Sequence, residues 1–135
     1  MSIFSKHKNL DRVTVLSVGF LMVFIAFNSA ANLSGQALTN DGLDNLGFLT
    51  AAFLYLVFAL TSFFAAPLVT WMGPKISLFV GGLCYSFWVL CFIPAAFYPD
   101  HKDDGSFLFE KSFIYALSFF SSAVNGVGAG ILWVA

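Results

Sequence analysis

Three side-chain amides, Asn28, Asn32 and Gln36, recur at every fourth position and so share one face of a helix. An amide carries two N–H donors and a carbonyl acceptor, and in hydrocarbon it must find partners on other helices or in a water-filled cavity. The chemistry open to this stripe is therefore recognition: lining a substrate or ion path, or bonding one helix to another. Both readings fit the spacing. A fourth amide, Asn125, lies in the last apolar run beside Ser122, Gly126 and Gly130, a row of small residues that lets helix backbones approach closely. Asn125 is expected to face the Asn28/Asn32 stripe across a cavity, while Ser122, Gly126 and Gly130 pack.

Bond-making chemistry has no such candidates. No long apolar run contains Asp, Glu, Lys, Arg or His, so a proton relay through the membrane has no carrier. His7 and His101 stand alone, without metal-ligand partners, and no nucleophile–base pair or phosphate-binding glycine loop occurs. No catalytic residue, cofactor or metal is expected. A net charge of −1 leaves no basic patch for a nucleic acid.

The elements that must position the amides are four charge-free stretches, 13–40, 45–74, 76–99 and 112–135, which are 28, 30, 24 and 24 residues long. A bilayer core about 30 Å thick needs roughly 20 helical residues to cross it. The chain is 59% hydrophobic and only 10% charged, which is too much apolar surface for a soluble fold of 135 residues to hide. The fold class is thus an all-α membrane protein with four transmembrane helices, expected over about 13–33, 46–69, 74–97 and 112–135, after a short basic N-terminal segment, 1–12. The partners this demands are the lipid bilayer and other membrane-protein helices.

Local signals punctuate these spans. Asn40-Asp41-Gly42 marks a turn in a polar connection running from Ser34 to Asn45. Asp44 or Asn45 is the expected N-cap of the second helix. Gly73-Pro74-Lys75 makes a tight hairpin, with Gly ending one helix and Pro opening the next. Pro94 should bend or end the third helix near its last turn. Ala51, Tyr55, Ala59 and Ser62 form a small polar face expected to be a packing seam of the second helix. Cys84 and Cys91 lie about 10 Å apart along one helix, too far for a disulfide, and read as buried thiols. Phe107-Leu108-Phe109 is an interfacial patch before the last helix.

Orientation follows from Lys and Arg near the helix ends. Lys6, Lys8, Arg12 and Lys75 lie on one side, against Lys102 and Lys111 on the other, so the N-terminus is expected in the cytoplasm. The last run ends at Ala135 without a closing charge, as expected of a fragment of a longer chain or of a terminus held among partner subunits.

Two segments resemble a known family. Phe24-Ile25-Ala26-Phe27-Asn28-Ser29-Ala30-Ala31-Asn32-Leu33-Ser34 resembles the first helix of the "uncoordinated" ion-channel regulatory proteins, a divergent branch of the major facilitator superfamily. Pro67 to Lys75 resembles that branch's hairpin between helices two and three, and Gly126 to Ala135 its fourth helix. The resemblance covers about residues 10–135. It implies twelve helices in two six-helix halves, with the first and fourth helices lining a central cavity, which would place Asn28, Asn32 and Asn125 on it. The superfamily's usual hairpin sets an acid and basic residues around a glycine. Here Thr70 stands at the acid's place and Trp71 at an arginine's, while Gly73 and Lys75 match. Members of the branch are linked to potassium-channel regulation or receptor trafficking.

Two functions follow as expectations. One is the N-terminal part of a transporter-like ion-channel regulatory protein, unable to transport alone because alternating access rocks two halves around a central site. The other is a short accessory or structural subunit of a large membrane complex.

Overall fold

The computed structural model describes residues 3–40, 42–43, 45–101 and 106–135, with side-chain surroundings from Leu10 onward except at positions 37, 40 and 101. Among the described residues there is no strand. The elements are α1 (Ile3–Asn40), α2 (Leu46–Met72), α3 (Pro74–Cys91), the one-turn helices α4 (Ile93–Ala96) and α5 (Tyr98–His101), a 3-10 turn at Phe107–Phe109, and α6 (Lys111–Val134). Four stretches are long and apolar enough to cross a membrane: Leu10–Gln36, Leu46–Met72, Pro74–Asp100 and Lys111–Val134. The chain is a multi-pass membrane protein.

The first helix is longer at both ends than its apolar core suggests. It runs on past Leu33 because its polar residues satisfy themselves on the helix: Ser34 donates its hydroxyl to the Ala31 carbonyl at 2.9 Å and Thr39 to Gly35 at 2.9 Å. Packing favours the extension too. A Cβ at Gly47 would sit 2.7 Å from the Gly35 Cα, so α1 and α2 cross backbone to backbone there. One turn on, Leu38 is buried with Leu43, Leu46, Ala95 and Ile114. The helix then closes with Leu43 N–H bonded to Leu38 O at 3.0 Å and Gly42 N–H to Thr39 O at 3.4 Å. Gly42 takes φ +80, and Leu38 and Leu43 make the apolar contact that accompanies this kind of closure. Asp41 and Asp44 lie outside the described residues. Asn45 occupies the N-cap of α2, with no side-chain capping bond.

The α2–α3 hairpin turns on one residue. Gly73 adopts φ 83 and ψ 148, a conformation open essentially to glycine alone. Its N–H caps Val69 O at 2.8 Å, and its carbonyl accepts both the Ser77 N–H and the Ser77 hydroxyl. Pro74 then starts α3, where a missing N–H costs nothing. At the far end α3 breaks at Phe92, two residues before Pro94, as a ring that clashes with the carbonyl four residues back requires. Pro67, by contrast, sits inside α2 without ending it.

The four spans are not equivalent. In the most apolar 18 residues of each span, 56% of those of α6 are buried, against 6% of those of α1. Three glycines explain how α6 serves two neighbours. A Cβ at Gly126 or Gly130 would lie 2.8 Å from Leu54 O or Thr61 Cβ on α2, whereas Gly128 abuts Cys84 and Gly81 on α3. The face of α2 that meets α6 is thus Leu54, Val57 and Thr61. Tyr55 and Ala59, expected in a packing seam, are exposed.

Candidate functional site

Between α1 and the α2–α3–α6 core lies a cavity of about 310 Å³. Phe24, Phe27 and Asn28 form its α1 wall, Leu54, Tyr55 and Phe58 its α2 wall, and Tyr85, Ala129 and Trp133 close it from α3 and α6. The aromatic walls hold one another in place. Phe27 meets Tyr85 edge-on at 5.0 Å and tilts against Trp88 at 5.2 Å, while Trp133 packs edge-on against both Phe20 and Phe24 at 5.4 Å. Edge-to-face rings such as these add roughly 0.5–1.5 kcal/mol each beyond the area they bury.

Polar groups are few. Asn28 donates its amide N–H to the Phe24 carbonyl at 2.8 Å, which leaves its side-chain oxygen as a free acceptor at the cavity. Tyr55 and Tyr85 contribute hydroxyls, the latter beside the Trp133 indole. Among the described residues, no carboxylate, ammonium, guanidinium or imidazole lines the space. Among the described residues no group of His, Cys, Asp or Glu could hold a metal.

The other amides lie elsewhere. Asn32 and Gln36 are exposed further along α1. Asn125 is fully buried on α6, and neither its side-chain N–H groups nor its oxygen has a partner. It stands one turn from Ala129 and hence on the same face of α6 as a cavity-lining residue. Around it runs a buried polar seam. The Trp88 indole N–H donates to the Ser122 hydroxyl at 3.2 Å, Ser121 donates to the Ser118 carbonyl at 3.1 Å, and the Ser118 hydroxyl is unpartnered. Asn28 thus lines the cavity and Asn125 does not. The aromatic character of the cavity was not singled out from sequence, since Phe, Tyr and Trp are scattered over four helices and meet only in the fold.

Two comparisons with known proteins bear on this arrangement. Residues 40–99, spanning α2, the Gly73 hairpin and α3, match the family model described as ion channel regulatory protein UNC-93. UNC93-like protein MFSD11 of Xenopus laevis is 26% identical over 134 residues, covering 96% of this chain and 26% of the relative. Its Xenopus tropicalis counterpart matches to the same extent. The chain is thus similar to UNC-93 proteins, over residues 40–99 for the family model and along nearly its whole length for the relatives. It spans about a quarter of the length of the curated relatives it matches. No solved structure matches. Of the cavity walls, those from α2 and α3 fall inside the UNC-93 match, whereas Asn28, Ala129 and Trp133 lie outside residues 40–99.

Proposed function

We propose that this four-span unit is the leading part of a transporter-like membrane protein that regulates an ion channel, and that it does not transport by itself. The observation carrying this reading is the state of α1. The most apolar 18 residues of its span are 6% buried, and Leu16, Leu21, Met22 and Ile25 are each more than half exposed. Lipid tolerates such a surface. Yet the same helix carries Asn28, Asn32 and Gln36, which hydrocarbon does not favour and other helices do. The polar face of α1 thus fits packing against further membrane helices, and the likeness to relatives nearly four times as long supports it. Rocking two halves around a midplane site needs more helices than four.

Lys6, Lys8, Arg12 and Lys75 support a cytoplasmic N-terminus, with the α1–α2 and α3–α6 connections outside. The activity proposed is regulatory and not enzymatic, because the cavity offers hydrogen bonding and aromatic contact without a nucleophile or base.

The test is the intact mass of the native polypeptide extracted from membranes in mild detergent, combined with cysteine labelling along α1. The reading expects a mass several times 14.7 kDa and protection of the Asn28/Asn32 face from a lipid-soluble maleimide. A native mass near 14.7 kDa with the α1 face protected favours the accessory-subunit reading. Uniform labelling around α1 sinks both.

A further inference from the structure

The cavity beside Asn28 has a composition that selects a ligand class. We propose that it binds a neutral, ring-shaped amphiphile whose single hydroxyl or amide is held by Asn28. The proposal rests on the reading of this cavity as a functional site and goes on to name what enters it.

Three observations carry it. First, six aromatic rings, Phe24, Phe27, Tyr55, Phe58, Tyr85 and Trp133, surround a space of about 310 Å³, at the lower end of the range for small-molecule sites. Flat rings stack well in such walls. Second, among the described residues the lining holds no ionised group of either sign. Aromatic faces do attract organic cations, but a cation would enter this membrane-spanning bundle without a counter-charge, and an anion would meet no cation. Burying an unpaired charge is far costlier than burying a neutral molecule. Third, the lining carries unmet hydrogen-bonding capacity at one place: the Asn28 N–H is committed to Phe24 O at 2.8 Å, and its side-chain oxygen remains as an acceptor.

The experiment measures retention of three tritiated probes by the native protein in lipid nanodiscs, corrected for empty nanodiscs: 2-naphthol, naphthalene and 2-naphthyltrimethylammonium. The expected result is saturable retention of 2-naphthol, about tenfold weaker retention of naphthalene, as loss of one hydrogen bond implies, and none of the cation above empty discs. Asn28→Leu should narrow the naphthol-to-naphthalene ratio while keeping naphthalene retention, which also certifies that the variant is folded, and Asn125→Leu, outside the lining, should leave the ratio as it is. Tightest retention of the cation overturns the proposal, as does a ratio unchanged in Asn28→Leu. Absence of saturable retention of any probe overturns it too, and means that other helices fill the cavity. These outcomes are independent of the native mass and of α1 labelling, so the ligand class can fail while the membrane-unit reading stands.

Discussion

Replacing Gly126 by alanine tests the packing of α6 most directly. The added Cβ would lie 2.8 Å from the Leu54 carbonyl oxygen, against the 3.4 Å at which ordinary contact begins, so α2 and α6 must separate by about 0.6 Å. The obstacle is backbone and cannot rotate aside. Val57 offers no relief, since its Cβ would be 2.9 Å away. Overpacking of this kind costs about 1–3 kcal/mol, to be set against a gain of up to about 1 kcal/mol when alanine replaces glycine in a helix. The net expectation is a destabilisation of about 1–2 kcal/mol, or roughly 5–30-fold in the folding equilibrium. Gly82→Ala provides the control, because a Cβ there meets nothing within 4 Å and only the helix-propensity gain remains. The assay is reversible unfolding in bicelles, followed by far-ultraviolet circular dichroism. Equal stability of Gly126→Ala and Gly82→Ala would refute the close α2–α6 approach.

Further expectations follow from single interactions. Trp88→Phe should cost about 1 kcal/mol through the lost bond to Ser122, and the double variant with Ser122→Ala should cost less than the sum of the singles in the same unfolding assay. Asn125→Leu should raise the unfolding free energy by about 1–2 kcal/mol, because it removes a fully buried amide with no partner; a loss of stability would show that the amide is bonded in the native protein. Gly42→Asn should be tolerated, as asparagine also enters the left-handed region, whereas Gly73→Asn should cost about 1–3 kcal/mol because φ 83 with ψ 148 is open essentially to glycine. Thermal melts of the two variants side by side check that contrast.

The membrane architecture was legible because charge is the signal hydrocarbon enforces most strictly, and charge-free length alone marks four spans. The Gly73-Pro74 hairpin was legible for a different reason: each residue does something there that few others can. The extension of α1 to Asn40 was not, because Ser34 and Thr39 look like loop residues until their hydroxyls are seen folded onto carbonyls three or four positions back. Hydropathy also misleads about burial. The α6 span is the least apolar of the four and the most buried, since its serines, glycines and Asn125 suit close contact with α2 and α3 better than contact with lipid. For the amides, periodicity identifies a shared face of α1 but not how far along it the neighbouring helices reach. Asn28 lies where Tyr55, Tyr85 and Trp133 converge, and Asn32, one turn on, does not. That difference is set by residues on three other helices.

The burial asymmetry between α1 and α6 also has a meaning in time. The helix that covers the other three is made after them: α6 begins about 70 residues after α1 ends, which at about 5–20 residues per second is a wait of roughly 4–14 s. Throughout it, the glycine-facing surfaces of α2 and α3 and the Phe20/Phe24 ledge of α1 lack the helix they are shaped for. Synthesis therefore creates an interval in which three inserted helices are incomplete, and whatever shelters them in the membrane must hold on until the serine- and glycine-rich helix arrives.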